Sequence, residues 1–182
     1  MIQSLEKMDF NILKYITDHF HNVALDKVMP IITYLGNGGL IWIILSIVLM
    51  INNKYRKIGF LTLCSMVLGA ILGEVILKQI FHRSRPFIEL PGLELLIKKP
   101  LTYSFPSGHT LSAFAAAGVI GGMIKKFKQS VMILAILIAF SRLYLFVHYP
   151  SDILVGMVLG LLCAKIVLFF SRKMNRGQSP MI

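Results

Sequence analysis

Apolar runs close to the thickness of a bilayer recur along this chain, at about 39–52, 58–81, 107–124, 130–148 and 151–171. A hydrocarbon core of ~30 Å is crossed by about 20 helical residues, because a helix satisfies its own backbone polar groups where water cannot. Five such runs predict an all-α fold, a polytopic bundle of transmembrane helices with five to six spans. Charged residues make up only 15% of the chain against 56% hydrophobic, which excludes an ordinary soluble domain. The runs 39–52 and 107–124 are short at about 1.5 Å of rise per residue, so their flanks contribute or the bilayer thins. With 182 residues and no visible repeat, residues 1–182 read as a single domain.

Ahead of the first run, Leu5, Met8, Ile12, Tyr15, Ile16 and Phe20 recur at helical spacing among polar residues. That pattern predicts an amphipathic helix lying in the membrane interface. Glu6, Asp9 and Asp18 interrupt any signal-peptide pattern. Residues 22–35 carry Asp26, Lys27 and Pro30 and are short and polar for a span; Gly36-Asn37-Gly38-Gly39 then marks a break. The preferred count is five spans behind an interfacial region 1–36, with a sixth at 22–35 left open.

A net charge of +11 would suit nucleic acid, but the basic residues are not gathered on one soluble face. They lie in 52–57, 125–128 and the tail 172–176, which fall on one side if all five spans are real. By the positive-inside rule that side is cytoplasmic, so the 82–106 loop and the 148–151 turn face outward. Within the spans, Glu74 precedes Lys78 by four residues, a natural ion pair, and Lys165 sits near enough to an end to snorkel. Cys64 and Cys163 stand in different runs without metal or disulfide spacing and read as small core residues.

Three polar clusters break the apolar pattern. In K-Q-I-F-H-R-S-R-P, Lys78 and Arg85 are seven residues apart, which predicts one helical face, with Pro86 ending the helix at or just before Arg85. In S-F-P-S-G-H, Ser107 is placed to cap a helix whose first free N–H groups, on Gly108 and His109, form an anion site. In S-R-L-Y-L-F-V-H-Y-P-S-D, Arg142 and His148 end one helix while Pro150 opens the next, bringing Asp152 back toward His148. A carboxylate on one imidazole nitrogen leaves the other as a nucleophile. Together they offer cationic and N–H donors around two histidines, which suits a phosphoryl group in transfer.

K-x6-R-P at Lys78–Pro86, P-S-G-H at Pro106–His109 and S-R-x5-H-x3-D at Ser141–Asp152 resemble, in order and without departure, the three-part signature of the type 2 phosphatidic acid phosphatase superfamily. The resemblance covers residues 78–152. It implies a membrane lipid phosphatase in which His148 attacks phosphorus, Asp152 orients it, and His109 protonates the leaving oxygen. Lys78, Arg85, Ser107, Gly108 and Arg142 would hold the phosphate oxygens, without a metal or other cofactor. A lipid phosphate in the bilayer is then the partner, at the outer face of the plasma membrane. Undecaprenyl pyrophosphate ranks first as substrate, before phosphatidylglycerophosphate and phosphatidic acid, and the 87–105 loop is a candidate lid.

Two other readings stay open at this stage. His82, His109, His148 and Asp152 are residue types that ligate zinc, though the surrounding cationic donors would repel a metal. Charges inside spans also occur in transporters and non-catalytic lipid-binding proteins.

Overall fold

The computed structural model describes residues 2–90 and 92–177; Pro91 and the side chains of Leu5 and Arg176, which the sequence reading invoked, lie outside the described residues. The described residues are helices and connecting turns. They comprise α1 (Ile2–Phe20), α2 (Val23–Leu35), α3 (Leu40–Ile51), α4 (Arg56–Ala70), α5 (Lys78–Phe81), α6 (Gly108–Met123), α7 (Lys128–Tyr144) and α8 (Pro150–Gly177).

Local chemistry sets the breaks. The Asn22 side chain caps α2, accepting from the N–H groups of Ala24 and Leu25 at 3.1 and 3.0 Å. Between α2 and α3, Gly38 and Gly39 adopt φ of 57° and 73°, which side-chain-bearing residues rarely do, and the two helices meet at a bend of 48°. A π-helical stretch, Ile71–Leu77, joins α4 to α5 without interruption. His82, with φ of 44°, then stops the rod.

This corrects one expectation. The helix ends at Phe81 rather than at Arg85, so Lys78 and Arg85 do not share a helical face. Pro86 instead opens a short 3-10 turn, Pro86–Glu89. Arg85 reaches the same place as Lys78 through extended backbone, with φ −90° and ψ 150°.

The bundle is organised around α6, which packs against α4, α7 and α8. Its small side chains permit this: Ala113, Ala115, Ala116 and Ala117 are wholly buried. Close approach by α8 depends on Gly160, where a Cβ would lie 2.6 Å from the Leu111 carbonyl oxygen and 2.9 Å from the Ala115 nitrogen. Outward-facing positions are apolar instead, including Val48, Phe60, Val75, Ile133, Leu154 and Phe169. An apolar exterior around a small-residue core suits a lipid solvent rather than water.

Three stretches are long and apolar enough to cross a membrane, Arg56–Glu89, Lys125–Tyr144 and Pro150–Met174, and the bent pair α2–α3 would make a fourth. At 16 residues α6 is roughly 24 Å long, which keeps it below bilayer length on its own. Helix α1 turns Asp9, Leu13 and Ile16 inward and leaves Met8, Ile12 and Tyr15 exposed. Part of the apolar stripe read from the sequence therefore faces away from the protein body.

Candidate active site

The turn between α7 and α8 holds His148, only 1% exposed. Pro150 is the first residue of α8, and Asp152, in that first turn, accepts from the backbone N–H of Tyr149 at 2.9 Å. This bond fixes the carboxylate beside the histidine. His148 Nδ1 lies 3.4 Å from Asp152 Oδ2, and Nε2 lies 3.2 Å from Arg85 Nη1. Arginine only donates, so Nε2 is the unprotonated nitrogen and the Nδ1 hydrogen faces Asp152. Burial, with Arg85 and Arg142 nearby, pushes the His148 pKa down to about 3 against the opposing pull of Asp152. At neutral pH the ring is uncharged, with its Nε2 lone pair available.

Arg85 donates to the carbonyl oxygens of Thr102, Val147 and Tyr103 at 2.7, 2.7 and 3.2 Å. Arg142 donates to Thr33 Oγ1 at 2.5 Å, while its buried Nε has no hydrogen-bond partner among the described residues. Neither arginine is ion-paired with a carboxylate among the described residues. Two nearly buried cations with no carboxylate in direct contact are expensive unless an anion joins them. Lys78 extends the positive wall, donating to Glu74 Oε2 at 2.7 Å, the pair expected from the sequence, and to Thr102 Oγ1 at 3.3 Å.

Ser107 caps α6 as expected, its Oγ accepting from the Thr110 N–H at 3.4 Å and from the Thr110 hydroxyl at 3.0 Å. Its oxygen accepts both bonds, which leaves the hydroxyl hydrogen to donate; Ser107 itself is buried beside the cavity wall formed by Gly108 and His109. Glu74 Oε1 comes so close to Gly108 that a Cβ there would lie 2.1 Å away. His109 Nε2 is 2.8 Å from Oδ1 of Asn37, at the α2–α3 bend. An amide oxygen accepts only, so Nε2 carries the hydrogen and Nδ1 is left to exchange a proton.

These groups surround one cavity of about 540 Å³. Lys78, Arg85, Thr102, Arg142, His109 and His148 line its polar part; Ile43, Leu63, Met66, Val67 and Leu111, from α3, α4 and α6, line its apolar part. The loop singled out as a lid contributes Pro100 and Thr102 to one wall. His82 stands aside with its ring against Tyr103, and no three His, Cys, Asp or Glu side chains gather as a metal site among the described residues. Cys163 is buried and Cys64 half-buried, both free thiols.

Several partners of the site escaped the sequence reading. Ser104 donates to Asp152 Oδ2 at 2.5 Å, and Arg83 Nη1 lies 2.6 Å from Asp152 Oδ1. Both sit inside the quoted motifs, Ser104 at the head of S-F-P-S-G-H and Arg83 within H-R-S-R. Their polarity in apolar surroundings was the available signal. Asn37 and Thr33 carried none, because the α2–α3 region lies far away in sequence.

Comparison with known proteins identifies the family. The PAP2 superfamily pattern matches residues 59–176. An undecaprenyl-diphosphatase from Sulfolobus acidocaldarius is 32% identical, over 88% of this chain and 78% of its own length. The crystal structure of LpxE from Aquifex aeolicus superposes with a TM-score of 0.75 at 32% identity, over 87% of this chain and 93% of that one. A transmembrane PAP2-type phosphatidylglycerolphosphate phosphatase from Bacillus subtilis gives a TM-score of 0.75 at 27% identity, over 93% of this chain and 87% of that one. With apolar helices, the ordered motifs and these relatives in agreement, the chain belongs to the PAP2 superfamily and is a membrane-bound phosphoric ester hydrolase of that family.

Proposed function

We propose that this protein removes a phosphate from a membrane lipid through a phosphohistidine intermediate on His148. The observation that carries the reading is His148 Nε2, 3.2 Å from Arg85 Nη1 at the wall of a cavity whose arginines have no carboxylate partner among the described residues. His148 Nε2 attacks phosphorus and forms an N–P bond as the P–O bond to the lipid breaks. Asp152 keeps the hydrogen on Nδ1 and supports the positive ring that results. His109 Nδ1 takes up a proton as the phosphate anion enters and offsets the surrounding cations, and gives that proton to the leaving oxygen; neutral again, it takes one from the water that hydrolyses the intermediate. Lys78, Arg85, Arg142 and the Gly108 N–H compensate charge on the phosphoryl oxygens, with Ser107 presenting that N–H through its cap. The residues that carry these steps lie between 78 and 152 in a single domain. No step calls for a metal.

The apolar part of the cavity supports an amphiphile, its phosphate among the arginines and its tail between α3, α4 and α6. Among lipid phosphates we rank undecaprenyl pyrophosphate first, then phosphatidylglycerophosphate and phosphatidic acid. The Sulfolobus relative is named for the first substrate and the Bacillus structure for the second. In this reading α2–α3, α4–α5, α6, α7 and α8 make five crossings and α1 lies in the interface, its exposed Met8, Ile12 and Tyr15 toward lipid. Basic loops at 52–57 and 125–128 then face the cytoplasm, which puts the cavity at the outer face of the plasma membrane.

The test is phosphate release by purified protein from these three lipids in EDTA, with His148→Ala alongside. Release that the variant loses supports the histidine mechanism, and the ranking of the lipids identifies the substrate. Loss of wild-type activity in EDTA, or its retention in His148→Ala, would overturn it. Release from none of the lipids would favour a non-catalytic lipid-binding role.

A further inference from the structure

We infer that helix α1 belongs to the phosphatase site, because its Asp9 holds Arg83 against Asp152 and so positions the carboxylate that orients His148. The inference rests on the role proposed above for Asp152. Asp9 lies outside the family match, which begins at residue 59. It is 2% exposed on a helix whose Met8 and Ile12 face outward.

The contacts are short and convergent. Arg83 places Nη2 at 2.7 Å from Asp9 Oδ2, and Nη1 at 2.6 Å from Asp152 Oδ1 and 2.7 Å from Ser151 Oγ. Ser151 closes the ring, its N–H donating to Asp9 Oδ1 at 3.0 Å and its hydroxyl to Asp9 Oδ2. The guanidinium also lies 4.0 Å over the Tyr149 ring. Simple docking of α1 would need only apolar contacts such as Leu13, and a buried carboxylate is costly for that purpose.

The charge balance supplies the reason. Arg83 paired with Asp152 alone would cancel the negative charge needed beside a cationic His148. Two carboxylates and one guanidinium sum to −1 − 1 + 1, so the trio stays negative while the fork of Arg83 fixes both acids. Lysine, a single point charge, cannot hold both in that geometry.

The test uses the full-length protein in detergent with whichever of the three lipids it hydrolyses fastest, measuring kcat and KM separately. Asp9→Asn, which is isosteric, and Arg83→Lys are each expected to lower kcat by roughly 10-fold or more, as loss of an orienting partner does elsewhere. KM and vanadate inhibition should stay within about twofold of wild type, since no phosphate contact is removed. The double variant should be little slower than the slower single one, because both act on one carboxylate. Wild-type kcat in Asp9→Asn, or fully multiplicative losses, would overturn the inference. Should either variant not fold, Ser151→Ala, which deletes only the bridging hydroxyl, decides: a fall of about threefold in kcat at fixed KM is expected, and an unchanged kcat overturns the role. Asp152→Ala run alongside separates the two levels. Full activity there overturns the underlying mechanism, whereas an inactive Asp152→Ala beside a fully active Asp9→Asn overturns only the part assigned to α1.

Discussion

Ser104 stands between the two groups that the proposed chemistry couples: its Oγ lies 2.5 Å from Asp152 Oδ2 and 3.4 Å from His148 Nδ1. Its hydroxyl hydrogen goes to the carboxylate, which fixes the oxygen that the imidazole faces. Ser104→Ala should lower kcat about 10- to 100-fold, the worth of a hydrogen bond to a charged group at roughly 1.5–3 kcal/mol. Steady-state kinetics with KM determined separately checks this. An unchanged kcat would mean that Arg83 and the Tyr149 N–H hold Asp152 without it.

Glu74 lies against Gly108, at the start of α6, and is bonded to Lys78 at 2.7 Å. A phosphoryl group must displace that carboxylate or share the lysine with it. Vanadate, which takes the five-coordinate geometry of phosphorus in transfer, should inhibit the enzyme, and Glu74→Gln should tighten that inhibition. We expect roughly threefold, about what a partly exposed ion pair contributes. No inhibition at saturating vanadate would argue against this cavity as the reaction site.

His148 gives the protein a defined acid sensitivity. Its pKa is about 3 when folded against an ordinary 6.5, so between those values the unfolded chain binds a proton that the folded one refuses. Stability therefore falls as the pH drops below about 6.5, by at most about 1.4 kcal/mol per pH unit, and this contribution levels off below about 3. Melting temperatures of wild type and His148→Asn, measured from pH 7 to 4, should converge as the pH falls. Curves that stay parallel would mean that His148 takes up its proton while still buried.

Gly160 tests the packing that seats α6. A methyl group there meets backbone atoms of Leu111 and Ala115, which cannot rotate away. Gly160→Ala should cost roughly 1–3 kcal/mol and lower the melting temperature in detergent. The same change at Gly38, where an added Cβ meets nothing within 4 Å, is opposed only by its positive φ.

The sequence made the chemistry more legible than the scaffold. Lys78, Arg85, Gly108, His109, Arg142 and His148 all line the cavity, because each motif sits where a helix starts or stops and local signals mark such places. The reach of Arg85 was misjudged for a local reason, since proline forecasts a boundary but His82 makes the turn four residues earlier. Asn37, Thr33 and Asp9 were beyond reach because their contacts span 72, 109 and 142 residues of sequence, to His109, Arg142 and Ser151. Helix α6 reads as a span from composition. Its alanines and glycines also mark it as enclosed by other helices, and hydropathy does not separate an enclosed helix from a lipid-facing one.

The two-ended cavity sets how the enzyme meets its substrate. On the proposed function, a tail seated among Ile43, Met66 and Leu111 would arrive from within the plane of the membrane. Encounter is then two-dimensional, and the variable that governs rate is the mole fraction of substrate among the surrounding amphiphiles rather than its molarity. Adding inert detergent at constant substrate and enzyme should slow turnover by dilution within the surface alone.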